Sequence, residues 1–196
     1  ATSDNWGTFC YLKDVSTGAV WSAAHQPTLT PADRFETVLS EARAEFRSRT
    51  NQIESYTEIA VSPEDDVELR RLRLTNIGRA RRTIEVTSYA EIVLASPADD
   101  LAHPAFGKLF LETEYLADCA ALLCHRRNRD PREPAVWAIH VLSLEGRPQG
   151  PVEWETDRAR FVGRGRDTDR PAALDGRALS GTTGVVLDPI LSLRQR

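Results

Sequence analysis

Methionine is absent from the 196 residues, and cysteine occurs only three times. Cys10, Cys119 and Cys124 are odd in number and form no Cys-x-x-Cys pair, which argues against a disulfide framework and against a zinc site. Reduced, mostly buried thiols in a cytoplasmic setting are therefore expected. Because there is no methionine, Ala1 is not expected to be the natural start of the chain.

Long apolar runs are also missing. None approaches the roughly 18 residues that a membrane-spanning helix needs, and the N-terminus lacks the basic start and apolar core of a signal peptide. The formal net charge is -4, whereas a general nucleic-acid binder needs a basic face. Apolar residues make up 41% of the chain and charged residues 28%, which is the balance of a globular protein.

A complete dinucleotide-binding motif is lacking as well. In "FVGRGRDTDRPAALDGRALSGTTG", residues 161–184, a Gly-x-Gly begins at Gly163, but Thr168 stands where the third glycine is required. No helical pattern follows to supply an anion-binding N-terminus. Four arginines accompany three aspartates, so self-paired surface charges are the simpler interpretation. Long loops are nevertheless often functional, and Arg164 and Arg166 remain candidates for contact with a partner.

Alternation with a period of two predicts strands along much of the chain. The pattern covers residues 53–61 and 83–95, and a shift of phase between Leu69 and Leu72 predicts a bulge in a further strand. Residues 135–144 are apolar on both faces, which predicts a central strand.

A hairpin turn is predicted at "VSTG", between the strand-like segments "FCYLKD" and "AVWSAA". Many short strands without alternating helices predict an all-β sandwich.

Two segments show helical periodicity instead. The apolar residues of 34–46 and of 115–127 fall on one face of a helix. In an antiparallel protein such alanine-rich stretches form strands when tertiary pairing overrides propensity. The residues themselves leave both alternatives open.

Candidates for carbohydrate contact occur in residues 99–115. His103 lies in a predicted loop, and an extended run after it would place Phe106, Lys108 and Glu112 on one face. Aromatic rings stack on the CH faces of sugars, and lysine and glutamate hydrogen-bond to sugar hydroxyls. The alternative is an ordinary loop and strand with solvated charges.

Tryptophans are the other candidates, since Trp6, Trp21, Trp137 and Trp154 are able to form a sugar platform. Trp137 lies in the most apolar run and is predicted to be core. Trp21 and Trp154 have polar neighbours and are better candidates. No carboxylate pair and no Gly-x-Ser-x-Gly elbow is singled out, so no catalytic residue is assigned.

Four ordered segments together resemble a known family. They resemble the β-sandwich domain of glycoside hydrolase family 94, formerly glycosyltransferase family 36, and within it the cyclic β-1,2-glucan synthase type. The segments, which cover nearly the whole chain, are "WGTFCYLKDVSTGAVWSAAHQP", "AVSPEDDVELRRLRLTN", "SYAEIVLASPADDLAHPAFGKLFLETEY" and "ETDRARFVGRGR…LDGRALSGTTGVVLDPILSLR".

The resemblance implies an antiparallel β-supersandwich similar to galactose mutarotase, with few short helices, as a single domain over residues 1–196. In the family an (α/α)6 barrel follows this domain and carries the catalytic aspartate and the phosphate-binding residues. The chain is therefore expected to be a fragment of a larger multidomain protein without that barrel. The family also favours strands over helices in 34–46 and 115–127.

The function implied is that of a non-catalytic, carbohydrate-associated module of a β-glucan phosphorylase or cyclic β-1,2-glucan synthase. The implied partners are a β-glucan oligosaccharide, bound by the parent protein, the barrel in the same parent chain, and a second copy in a homodimer. No metal or organic cofactor is implied. The implied location is cytoplasmic, with the parent associated with the inner membrane. Arg164 and Arg166 are expected to face the absent barrel.

Other functions remain open. One is a mutarotase-like sugar epimerase, with His103 or His140 as the acid and a carboxylate base, although His140 is more readily interpreted as a core residue. Another is a free-standing carbohydrate-binding domain. The last is a structural platform for dimerisation without affinity for sugar.

Overall fold

The computed structural model describes residues 7–128, 130 and 132–196. These residues form twelve strands and three short α-helices, which confirms the all-β prediction. The strands are β1 Thr8–Asp14, β2 Val20–Ser22, β3 Arg34–Leu39, β4 Ala44–Thr50, β5 Ile53–Val61, β6 Glu68–Asn76, β7 Ile84–Glu91, β8 Leu111–Leu116, β9 Ala121–Arg126, β10 Trp137–Val141, β11 Glu153–Asp157 and β12 Pro189–Gln195. The helices are α1 Pro97–Ala102, α2 Pro104–Lys108 and α3 Arg158–Val162.

The described residues divide into two compact units. One contains residues 9–84, and the other contains the described residues within 1–8 and 85–196. A single domain over residues 1–196 stays a prediction.

The 9–84 unit contains a hairpin and a four-stranded meander. Strands β1 and β2 pair antiparallel with Leu12 opposite Trp21, which confirms the predicted hairpin. Strands β3, β4, β5 and β6 are neighbours in that order. Their register places Phe35, Ser48 and Ser55 side by side across three strands.

The two faces of this meander differ in chemistry. On one face the hydroxyls of Ser48 and Ser55 lie 2.7 Å apart. On the other, the Glu45 carboxylate accepts hydrogen bonds from Arg43 at 2.7 Å and from Arg47 at 3.0 Å. The first face buries hydroxyl side chains, whereas buried positions are more usually aliphatic. These buried residues are Ser48, Thr50, Ser55 and Thr57.

The β1–β2 turn is organised by the buried carboxylate of Asp14. Its Oδ1 accepts hydrogen bonds from the Ser16 amide at 2.8 Å and from the Ser16 hydroxyl at 2.6 Å, and Arg82 forms an ion pair with Oδ2. Burial alone raises the pKa of such a carboxyl, but the hydrogen bonds from Ser16 and Arg82 outweigh it, so the pKa of Asp14 is lowered.

The other unit is built from β11, β12 and β7, which are neighbours in that order, and from the antiparallel sheet β10–β9–β8. Strand β12 is buried along its whole length. The side chains of one apolar cluster come from β8, β9 and β12, namely Leu111, Leu122, Cys124, Leu191 and Leu193.

The two segments with helical periodicity form strands. Residues 34–46 comprise β3, a turn and the start of β4, and residues 115–127 include the end of β8, a 3₁₀ turn at Ala117–Cys119, and β9. Ala120 adopts φ 50°, in the left-handed region, where the chain reverses into β9. Pairing along both edges of β4 and β9 outweighs the weak helix propensity of these sequences. Of the two alternatives left open by the sequence, the helical one is wrong, and the family-based preference for strands is confirmed.

The predicted bulge in β6 is also wrong. Strand β6 pairs with β5 in one unbroken register, from Ile53 opposite Asn76 to Val61 opposite Glu68. The alternation of apolar and polar residues shifts here because Leu69 lies on the solvent-facing side of the strand, with 65% of its surface exposed.

Strand β10 lies at the edge of its sheet, so the central-strand prediction is wrong. Trp137, predicted to be core, is 55% exposed, and Ile139 and Val141 are exposed to similar extents. His140, on the other face of the strand, is only half-buried. A pattern that is apolar on both faces does not distinguish a strand covered on both sides from an edge strand with an exposed apolar face.

We expect Asp14→Asn to lower the free energy of unfolding by about 1–3 kcal/mol, because it leaves Arg82 without its charged partner. The folded pKa of Asp14 lies below its unfolded value. The stabilisation is therefore present above the unfolded pKa of about 4 and is lost as pH falls through the folded pKa. Urea unfolding at pH 7 and at pH 3 measures both effects. Asp66→Asn, in an exposed turn, is the matched control, and an equal loss in both variants contradicts the assignment.

Candidate functional site

The loop at residues 163–184 follows directly after two buried residues of α3, Phe161 and Val162. Phe161 of α3 contacts Tyr89, with ring centroids 4.9 Å apart. Gly163 adopts φ 86°, and a Cβ there would lie 2.6 Å from the Cβ of Ala172. The first glycine of the Gly-x-Gly is thus required for packing within the loop.

Arg194 of β12 fixes the middle of this loop. Its Nη2 donates to the carbonyl of Ala173 at 2.5 Å, and Nη1 donates to that of Arg177 at 2.9 Å. The side chain is 1% exposed and lies 3.3 Å from Glu85 and 3.2 Å from Glu153. Burial lowers the pKa of Arg194, whereas the two carboxylates act in the opposite direction.

Arg164 and Arg166 lie on the exposed part of the loop. Arg166 donates to Asp175 at 2.8 Å, and this hydrogen bond raises the pKa of the guanidinium. Both partners are nearly half-exposed, so the pair contributes little to stability. Arg164 is exposed as well. Contact of these arginines with a barrel stays a prediction.

The segment that contains His103 differs from the predicted extended run. His103 is exposed between α1 and α2, and Phe106 and Lys108 lie in α2, so only Glu112 is in a strand. Phe106 is 51% exposed and contacts Phe110 edge-on. The expectation that Phe106, Lys108 and Glu112 share one strand face is therefore wrong, because the chain is helical up to Lys108.

Lys108 is buried and belongs to an ion-pair cluster that is only partly buried, since the side chains of Asp188 and Arg158 are 37% and 29% exposed. Its Nζ donates to Asp188 at 2.5 Å, and Arg158 donates to Glu91 at 3.0 Å. Tyr89 donates to the same Glu91, and burial together with this bond raises the pKa of Tyr89. Two cations balance two carboxylates, so the cluster is self-compensated. Its members come from distant segments, and no local sequence signal links them.

Glu112 takes part in a row of side chains across β8, β9 and β10. Its Oε2 lies 3.8 Å from Nε2 of His125, and the His125 ring stacks on Trp137 with centroids 4.7 Å apart. Ile139 and Val141 continue the exposed apolar surface along β10. We call Trp137, Ile139 and Val141 the β10 outer face.

The two favoured tryptophans have different surroundings. Trp154 of β11 stacks on Tyr115 at 3.7 Å with an interplanar angle of 7°, and Gly181 lies close to the same indole. Trp21 is 2% exposed and forms part of a pocket in the 9–84 unit, called here the Trp21 pocket. Trp6 lies outside the described residues. The pocket residues are Trp21, Ser22, Ala24, His25, Thr30, Ala32, Phe35, Ser48 and Thr50.

Comparison with known families decides the identity of this fold. The family model described as "Glycosyl hydrolase 94, supersandwich domain" matches residues 1–196. The chain belongs to this family. The predicted β-supersandwich and the resemblance to family 94 are both confirmed.

Three relatives of this chain are named as a glucan synthase and two phosphorylases. The chain is 41% identical over 193 residues to the cyclic beta-(1,2)-glucan synthase NdvB of Rhizobium meliloti (strain 1021). It is 24% identical over 182 residues to a solabiose phosphorylase, and 32% identical over 78 residues to a 3-O-beta-D-glucopyranosyl-beta-D-glucuronide phosphorylase, both of Paenibacillus borealis.

The chain matches only a small part of each relative. The three matches cover 98%, 93% and 40% of this chain, but 7%, 22% and 10% of the glucan synthase and the two phosphorylases, respectively. Within the described residues, no helix has the length and apolar character needed to cross a membrane.

We expect Arg194→Met to lower the free energy of unfolding by about 3–5 kcal/mol, because it leaves the buried Glu85 with Arg196 as its remaining partner and removes the donor to two loop carbonyls. Adding Glu85→Gln is expected to restore part of the loss. Urea unfolding measures both effects, and Arg132→Met, which removes an exposed pair with Asp130, is the control. Similar losses for Arg194→Met and Arg132→Met would show that the buried guanidinium does not anchor the loop.

Proposed function

We propose that this chain is a non-catalytic, carbohydrate-associated module of a β-glucan phosphorylase or cyclic β-1,2-glucan synthase. The observation that carries the proposal is the coverage of its relatives. Nearly the whole chain aligns with the glucan synthase, yet it matches only 7% of that protein. In this proposal the domain supports a catalytic barrel in the same parent chain, and the parent acts on a β-glucan.

The β10 outer face supports the docking part of the proposal. Three large apolar side chains, each more than half exposed, lie in a row along an edge strand. Exposed apolar rows of this kind are typical of interaction surfaces. The exposed Arg164 and Arg166 are further candidates for contact with the barrel, as predicted from the sequence.

The pairing of buried carboxylates supports a non-catalytic role. Glycoside cleavage requires carboxyl groups that protonate or attack the substrate. Among the described residues, Glu85 is held by Arg194 and Arg196, and Glu155 accepts hydrogen bonds from Ser180 and from nearby amides. Such partners hold a carboxylate oriented toward the protein rather than toward a substrate.

The mutarotase-like alternative depends on His103 or His140 as the acid. The Nε2 of His140 is already hydrogen-bonded to the Ser88 hydroxyl at 2.8 Å, and His103 is exposed between two short helices. Neither histidine lines the Trp21 pocket. This arrangement favours the non-catalytic proposal.

The finer parts of the proposal follow from the family. We place the domain on the cytoplasmic side of a membrane-associated parent and include a homodimer among its assemblies. The module requires no metal or organic cofactor in this proposal.

In the proposed parent protein with its barrel, we expect Ile139→Glu to lower the apparent free energy of unfolding by about 2 kcal/mol or more, because it buries a charge at the barrel contact. In the isolated chain the same change is expected to stay within about 0.5 kcal/mol, because Ile139 is exposed. Leu69→Glu, at a similarly exposed leucine of β6, is the control. Equal effects of Ile139→Glu in the two proteins would contradict docking through the β10 outer face.

The isolated chain is expected to release no glucose 1-phosphate from β-1,2- or β-1,4-linked gluco-oligosaccharides and phosphate. It is also expected not to accelerate the mutarotation of glucose followed by polarimetry. Phosphorolysis would overturn the non-catalytic assignment. Mutarotation that is lost in His103→Ala or His140→Ala would establish the epimerase alternative.

A further inference from the structure

The Trp21 pocket lies within the 9–84 unit and has a volume of about 240 Å³. Pockets for drug-sized ligands occupy roughly 300–1,000 Å³, so this one suits a smaller molecule. Its residues come from β2, β3, β4 and the connection between β2 and β3. Rigid strands therefore supply most of its walls.

Aromatic groups form the apolar part of the pocket. The indole of Trp21 is almost entirely buried, whereas Phe35 is 43% exposed and His25 is exposed. The rings of His25 and Phe35 lie 5.9 Å apart and are tilted by 53°. The two more exposed rings offer apolar faces to a ligand with CH groups, whereas the buried indole contributes little accessible surface.

Hydroxyl groups form the polar part. Ser48 shares a hydrogen bond with Ser55, and Ser22 shares one with Thr28 at 3.1 Å, while Thr30 donates to the carbonyl of Val20 at 3.3 Å. A hydroxyl has one donor and two acceptor positions. Ser48 and Thr30 therefore retain capacity to accept a further hydrogen bond.

The pocket offers no oppositely charged side chain to an ionic ligand. Its residues, all within the described part of the chain, include no aspartate, glutamate, lysine or arginine. Taking an ion out of water into such a site is costly. The lining therefore selects a neutral ligand that has many hydroxyls and an apolar edge.

The connection that carries His25 is held in place before any ligand binds. The amide of Thr28 donates to the Ser22 hydroxyl at 3.3 Å, and the amide of Leu29 donates to the carbonyl of His25 at 3.1 Å. A pre-organised wall lowers the entropy cost of binding a small ligand.

We infer that the Trp21 pocket binds one neutral pyranose ring, such as the terminal glucosyl unit of a β-glucan. The CH face of the ring contacts Phe35, and its hydroxyls donate to the serine and threonine oxygens and to His25. This inference rests on the proposed carbohydrate-associated function and adds to it a location and a ligand size.

The test is an NMR titration of the 196-residue chain with D-glucose and with sophorose, the β-1,2-linked glucose disaccharide. We expect shifts of the Trp21 indole and of the amides of His25 and Phe35, with Kd on the order of millimolar. Inorganic phosphate at the same concentrations should leave these signals unchanged. Shifts caused equally by glycerol would show a non-selective polyol effect and would overturn the inference.

Phe35→Ala is expected to weaken glucose binding by about tenfold or more, because it removes one apolar wall. Phe106→Ala, at another half-exposed phenylalanine outside the pocket, is the matched control and should bind like the parent sequence. Circular dichroism checks that both variants fold, and His25→Ala, at an exposed position, replaces Phe35→Ala if that variant does not fold. Glucose binding that is unchanged in Phe35→Ala (or in His25→Ala, where it is used instead), or that is weakened only in Phe106→Ala, would overturn the inference.

The outcome is separable from that of the proposed function. A chain that binds no sugar, while Ile139→Glu still destabilises only the proposed parent protein, overturns the pocket assignment and leaves the docking module intact. Sugar binding without any effect of Ile139→Glu supports the pocket and contradicts the docking surface.

Discussion

The Arg194 guanidinium lies inside the protein, and much of the 85–196 unit is organised around its five N–H donors. Its Nε donates to Thr87 of β7, its Nη1 to Glu153 of β11, and its Nη groups to two carbonyls of the 163–184 loop. A buried cation without such partners would cost several kcal/mol. The strands and the loop must therefore be assembled together, and the arrangement that satisfies Arg194 also gives the loop its shape. Arg164 and Arg166 are then left on the exposed side of a loop whose inner side is fixed.

Charged side chains that pair within the domain lie apart from the two surfaces proposed to bind other molecules. Buried charges are compensated locally, as in the Lys108–Asp188 pair and around Glu85. The β10 outer face is apolar and exposed, and the Trp21 pocket is neutral and rich in hydroxyls. These two surfaces suit different occupants, since an apolar strand favours a protein partner and a small hydroxyl-lined pocket favours a sugar. In the proposed module the first surface would contact the barrel and the second would bind a sugar.

The strands with strict alternation were predictable from sequence, because each has one covered face. Residues 53–61 and the β1–β2 hairpin are examples. Residues 34–46 and 115–127 were not predictable from periodicity, because spacing of three and four residues in a short alanine-rich segment suits either structure, and pairing with neighbouring strands decides. The resemblance of four ordered segments to family 94 supplied that missing information.

Sequence alone determined the class of the protein: an all-β chain, acidic and without an anion-binding motif, with Trp21 among the favoured aromatic residues. Tertiary structure decided how each candidate is used. It buried Lys108 against Asp188, stacked Trp154 on Tyr115, exposed Trp137 and joined Trp21 to Phe35 in one pocket. Local patterns report the period and polarity of a segment, whereas exposure and pairing depend on residues far away in the chain. For that reason the function class could be reached from the sequence, and the locations of the candidate sites could not.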